Sequence, residues 1–206
     1  MRKSILLYVF LTSLFLTTTQ CKKDTVDQLS LMPPATTTGA NTFGCLSDGN
    51  ALVAKDGKNL GAWCMVCGTT SVGVTTLYDN YDSIANALEI NTSDSRGMED
   101  NSPSGFYLKL HFVHLYKVIV GNCPWQNVQD FGSSGYYFNN YVEGEFYVDS
   151  LKGYAWFDSY NGSGKTNITR CDTNARIISG TFDGKMRIRN GTREISFTNG
   201  RFDVKW

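Results

Sequence analysis

Histidine is scarce in this chain: His111 and His114 are the only two among 206 residues. A serine–histidine–acid triad would have to use one of them, and neither has a glycine-elbow serine to activate. A zinc site completed by both would need them on one side of the backbone. They stand three apart in a stretch that alternates like a strand, so they point to opposite faces. An excess of one charge is missing too. The 19 basic and 19 acidic residues cancel to a net +0, and no basic stripe is visible, which excludes the electrostatic footprint of a nucleic-acid partner. No apolar run approaches the roughly 20 residues that a membrane-spanning helix needs. Beyond Thr42 no 3.6-residue apolar stripe occurs, so long amphipathic helices are excluded as well.

The most apolar stretch, ILLYVFLTSLFL at residues 5–16, follows Arg2 and Lys3 and ends shortly before Cys21. A charged start and a short apolar middle make residues 1–20 an export signal. TTTQC resembles a bacterial lipobox, and CKKD resembles the mature start of many Bacteroidetes lipoproteins. Both imply that Cys21 becomes the N-terminus and carries acyl chains. Each buried methylene contributes about 0.8 kcal/mol, so several chains hold a protein at a bilayer almost permanently. The expected address is the outer membrane, with the lipid bilayer as partner through acylated Cys21 and the domain on its periplasmic or cell-surface face. Residues 21–42 are rich in Thr, Pro and Lys with little to bury, the composition of a flexible tether. Asp24, Thr25 and Val26 within it resemble an O-glycosylation signal.

Residues 43–206 are one domain's worth of sequence. Period-two alternation dominates them, as half-buried strands require. GFYLKLHFVH sets Phe106, Leu108, Leu110 and Phe112 against Tyr107, Lys109 and His111. EGEFYVDS sets Phe146 and Val148 against Glu145, Tyr147 and Asp149. In KMRIRNGTREISF, Asn190-Gly191 suits a two-residue type I′ turn. That turn places Met186 opposite Ile195 and Arg187 opposite Glu194, with Ile188 facing Arg193. A second Asn-Gly, Asn199-Gly200, predicts a bulge in one long strand. The fold class expected is all-β, an antiparallel β-sandwich, with a β-barrel as the alternative.

Several blocks carry a resemblance. PPATTTGANTFGCLSDG, LYDNYDSIANALEINTS, ITRCDTNARIISGTFDGKMRI and ISFTNGRFDVKW together resemble a recurring family of Bacteroidetes lipoproteins of the DUF6252-like kind. The blocks cover the end of the tether and the first and last thirds of the domain, and leave residues 96–158 outside. The resemblance implies a small, β-rich, lipid-anchored protein, and the family has no assigned activity to carry over.

Five cysteines remain besides Cys21: Cys45, Cys64, Cys67, Cys123 and Cys171. An exported compartment permits disulfides, and an odd number leaves at least one thiol over. Cys64 and Cys67 are expected to be bonded, to each other or to Cys123. WCMVC resembles a thioredoxin redox site, which needs a following helix to activate the first thiol. The sequence after it, GTTSVGVTTLYD, is turn and strand, so a structural role is preferred. GSGKT at residues 162–166 looks like the tail of a phosphate loop, but Ser159 stands where the first glycine belongs and no helix follows. No metal and no cofactor is implied.

Aromatic residues are the surplus. Twelve of the chain's 27 lie in residues 125–160, more than alternate core positions can bury. Exposed Tyr and Trp among Asn and Gly suit stacking on sugar rings or anchoring a protein partner. Tyr147, Tyr154 and Trp156 are the candidate ligand-binding residues. Three functions are open on this basis. The first is a non-catalytic module for a glycan or protein. The second is a glycan hydrolase using carboxylates from residues 130–158, Glu143 and Glu145 foremost. The third is a structural envelope lipoprotein.

Overall fold

The computed structural model describes residues 26–54, 70–77, 87–94, 105–113, 120–128 and 140–205. Among these there is one 3-10 turn, Gln28–Leu31, no α-helix, and strands β1 (Thr42–Ser47), β2 (Asn50–Ala54), β3 (Thr70–Leu77), β4 (Ala87–Asp94), β5 (Phe106–Val113), β6 (Gly121–Pro124), β7 (Tyr141–Val148), β8 (Gly153–Asp158), β9 (Gly164–Asp172), β10 (Ile177–Ile188) and β11 (Glu194–Lys205). They form one sheet in the order β2-β1-β11-β10-β8-β7-β5-β4-β3, with β9 also on β10 and β6 on β9. All pairings are antiparallel. The all-β antiparallel expectation holds, and of the two architectures the barrel is the one that fits, because a single sheet curls until it is nearly closed.

Curling is concentrated where β10 changes partner. Its first eight residues pair with β9 and its last two with β8, on the same edge. Trp125 fills the fork. Its ring lies against Gly164 and Gly184, where a Cβ on either would come within 2.5 Å of an indole carbon. The buried indole N–H donates to Thr166 Oγ1 at 2.9 Å. Only glycine lets the two backbones and the ring approach this closely.

The interior is filled by the alternate residues that the strand pattern picks out: Phe106, Leu108, Leu110 and Phe112 from β5, Phe146 and Val148 from β7, and Phe157 from β8 are all buried. β11 needs one correction of phase to stay inside. A bulge at Asn199, φ 54°, shifts its register against β10 between Phe182 and Gly184. Ile195 and Phe197 point inward before it, Phe202 and Val204 after it. The expected bulge is therefore what keeps a 12-residue strand amphipathic through its length.

The hairpin between β10 and β11 keeps the expected register, with Met186 opposite Ile195 and Arg187 opposite Glu194. Its turn differs from type I′, since Asn190 has positive φ and Gly191 does not. The cause lies outside the hairpin: the Arg189 N–H donates to the Trp156 carbonyl at 2.9 Å. Arg189 thus continues the pairing with β8 and widens the loop.

The segment expected to be a flexible tether packs on the barrel from Gln28 onward. Asp27 caps the 3-10 turn through Leu29 N–H, and Met32 and Pro33 lie over Gly44. Asp203 then gathers the next stretch. Its carboxylate accepts from Thr38, Gly39 and Ala40 N–H at 2.9, 2.8 and 3.1 Å, and from the Thr36 and Ser179 hydroxyls at 2.6 Å each. Thr, Gly and Ala can be ordered without a hydrophobic core of their own, because one buried carboxylate satisfies their donors.

Cys45, Cys123 and Cys171 are free thiols, so of the two expected alternatives the bond from Cys64 or Cys67 to Cys123 is absent; Cys64 and Cys67 themselves, and a bond between them, lie outside the described residues. Cys123 stands opposite Thr166, five residues along β9 from Cys171, roughly 16 Å at strand rise. Cys45, on β1, is separated from β9 by β11 and β10. A disulfide requires Cα atoms within about 7 Å.

Candidate functional site: a ring and charge face on the barrel exterior

The residues that alternate outward on β4, β5, β7, β8, β10 and the start of β11 meet on one exterior face. Sheet register orders them in rows. Asn91, Lys109, Glu143, Asp158, Arg187 and Glu194 are consecutive cross-strand partners. One row away stand Ser93, Tyr107, Glu145 and Trp156, and the next step along β7 and β8 pairs Tyr147 with Tyr154.

The charged row is a network. Lys109 Nζ lies 2.5 Å from Glu143 Oε1 and 3.5 Å from Glu89 Oε1. Arg189 grips Asp158 through Nε at 2.6 Å and Nη2 at 2.8 Å, and reaches Glu143 Oε2 at 3.0 Å. Arg187 Nη2 donates to Glu194 at 2.8 Å, and the Tyr160 hydroxyl donates to the same oxygen at 2.9 Å. At the far end His111, fully buried, shares a 3.0 Å hydrogen bond with Glu89 and stacks on Tyr141 at 4.4 Å. Burial alone would push the Glu89 carboxyl up, but the His111 hydrogen bond and the Lys109 charge outweigh it and hold Glu89 below its ordinary value. Burial pulls Lys109 down, and the Glu89, Tyr107 and Glu143 oxygens more than reverse this. Both partners therefore stay ionised at neutral pH.

The rings are held by this frame. Tyr107 and Trp156 meet edge to face at 5.7 Å. The Arg189 guanidinium lies 5.1 Å from the Trp156 ring centre and Arg187 lies 4.4 Å from that of Tyr160, both within cation–π range. Tyr147 and Tyr154 meet at 5.6 Å, nearly perpendicular. The Tyr107 hydroxyl donates to Asn91 Oδ1 at 2.9 Å, and burial pushes its pKa up to about 12. Glu145 lies between Tyr107 and Trp156 and is half-buried. Burial holds its carboxyl above the ordinary value, with no charge among the causes.

Tyr147, Tyr154 and Trp156 thus lie together on the outer face, all half-buried, while Phe157 is in the core. Trp156 is less open than a free platform, since Tyr107 and Arg189 already touch it. Tyr107, Lys109 and Arg189 belong to the face although no sequence motif marks them as site residues. The outward phase of β5 identifies the first two as surface residues, but nothing local says that β5 lies beside β7. Cys21 falls outside the described residues. Trp125 and Tyr141, counted among the aromatic surplus, are buried. Among the described residues no group of three or more His, Cys, Asp and Glu is placed to hold a metal ion, and no helix is long and apolar enough to cross a membrane. Comparison with protein-family models, with curated proteins and with solved structures finds no match to this chain.

Proposed function

We propose that the chain is an exported lipoprotein, anchored through acylated Cys21 at the outer membrane, whose barrel binds a glycan through the exterior ring face without catalysing a reaction. One observation carries this: Tyr107, Tyr147, Tyr154 and Trp156 are turned away from the core on three adjacent strands, with polar groups between them. Half-exposed rings with polar neighbours suit a ligand that offers flat C–H faces and hydroxyls. Among the described residues the exposed large aliphatic side chains are Val26, Leu29, Leu31, Val120 and Leu151, and none of them stands in these rows, so the described part of the face does not have the aliphatic core of a protein interface. The kinship suggested by the lipoprotein-like blocks belongs to the same proposal. A glycan array probed with the full-length chain in detergent tests it: retention on a defined glycan class, reduced by Trp156→Ala, is expected, and no retention on any glycan overturns it.

A second reading, a glycan hydrolase, is favoured by the pair Glu143 and Glu145. Glu143 lies between two cations, and the carboxyl of Glu145, the next outward residue of the strand, is held above its ordinary value by burial, so two carboxyls stand side by side on one surface. Glu143 spends both oxygens on Lys109 and Arg189, which favours a structural role. Product analysis of glycans incubated with wild type and with Glu145→Gln decides the point.

A further inference from the structure

The charges on the ring face do not balance by pairs. Lys109, Arg187 and Arg189 are each engaged by carboxylates of the network. Glu145 has no hydrogen bond and no ion pair among the described residues, although Lys109 and Glu143 stand in the neighbouring row. Half-buried carboxylates are normally paired, because desolvating a charge without a partner is costly. Here the position across β5 is taken by Tyr107 and the position across β8 by Trp156. A carboxylate flanked by two aromatic side chains, which meet each other edge to face at 5.7 Å, is the chemistry of an organic-cation site, with charge supplied by the carboxylate and a π-system beside it. The protein's own Arg189, already lying on Trp156 and held by Asp158 and Glu143, shows that the Trp156 ring accepts a cation.

We infer that Glu145 is an ammonium-binding group, and that the glycan taken by this face carries free amines. The inference rests on the binding-face reading and adds the ligand's chemical class to it. A neutral polyol would leave the Glu145 charge uncompensated, and an N-acetylated sugar would bring a neutral amide in place of the cation. Burial already holds the free Glu145 carboxyl above its ordinary value; an ammonium placed against it reverses that trend, so ligand and carboxylate stabilise each other.

The probes are three β-linked tetrasaccharides of the same length, made of glucosamine, N-acetylglucosamine and glucose, with tetralysine as a fourth arm. Titration calorimetry at pH 6 uses the full-length chain in detergent. Wild type is expected to bind the glucosamine oligomer about tenfold tighter than either other sugar, with an affinity that falls as salt rises. Glu145→Gln is expected to remove that preference and leave the weaker binding of the uncharged sugars in place. Its melting temperature, measured alongside, should match wild type, since no partner is lost. Equal binding of all three sugars, or an unaltered preference in Glu145→Gln, overturns the inference and leaves the glycan-binding function standing. Binding of tetralysine without any sugar overturns both.

Discussion

Arg189 holds Asp158 through Nε and Nη2, at 2.6 and 2.8 Å, and lays the same guanidinium 5.1 Å from the Trp156 ring centre. One residue at a hairpin turn therefore ties β10 to β8 through its side chain, widens its own loop through its backbone N–H, and lays its guanidinium against a surface indole. The grip depends on a planar fork, which lysine does not have. Arg189→Lys should behave much like Arg189→Ala, each costing about 1 kcal/mol of stability because the pair is partly solvated. A double-mutant cycle with Asp158→Ala, read by chemical denaturation, should return a coupling energy above about 0.5 kcal/mol. Additivity within error would mean the clamp contributes nothing.

Trp156 and Phe157 are chain neighbours on opposite sides of the sheet. Phe157→Ala empties a fully buried position and should cost about 3–5 kcal/mol. Trp156→Ala should cost about 1 kcal/mol of stability and weaken glycan binding by about 1–3 kcal/mol. Thermal melts and titrations of both variants check this. A melting temperature as low for Trp156→Ala as for Phe157→Ala removes Trp156 from the ligand face.

Asp203 sets the acid limb of stability. Burial raises its pKa, but the Ser179 and Thr36 hydroxyls and the amides of Ala40 and Gly39 lower it more, from 3.8 to about 2. A folded-state pKa below the unfolded one contributes stability that is present above about pH 4 and lost as pH falls toward 2. Wild type should lose about 1–2 kcal/mol across that window. Asp203→Asn should lack this increment at neutral pH and show a flatter acid limb. The same variant should free the Thr36 to Ala40 stretch, so limited proteolysis ought to cut there. Protection equal to wild type would show that Met32 and Pro33 hold the segment without the carboxylate.

The free thiols should differ in reactivity. Cys45 is fully buried and burial drives its pKa far up, whereas Cys123 and Cys171 are half-buried with smaller upward shifts. Thiolate is the reactive form. Iodoacetamide on the native protein at pH 8 should label Cys123 and Cys171 slowly and Cys45 only in denaturant, as read by peptide mass spectrometry. Native labelling of Cys45 would contradict its place in the core.

The anchor has its own test. Cys21→Ser should yield a product without lipid that is uncleaved or soluble after cell fractionation. Acyl label on that variant, or none on the wild type, rejects lipidation at Cys21.

Much of the strand pattern is legible in the amino-acid sequence alone. Alternation puts Phe146, Val148, Leu108 and Leu110 inside and Tyr147 and Glu145 outside, because successive side chains of an extended chain point to opposite faces whatever the strand's neighbours are. The Arg187–Glu194 register follows from a short connection, and the Asn199 bulge from an Asn-Gly within one long strand. All of these are properties of a few consecutive residues. The turn at Asn190 is not legible in this way, since a backbone bond to Trp156 on another strand reshapes it. Neither is the ordering of Thr36 to Ala40, which needs a carboxylate more than 160 residues away. The meeting of Tyr107, Glu145 and Trp156 likewise requires β5, β7 and β8 to be adjacent. Strand order is settled by burying one shared interior against the entropy of closing the connecting loops, a balance struck over the whole chain. Local alternation can say which residues face outward, and only the assembled sheet can say which of them face outward together.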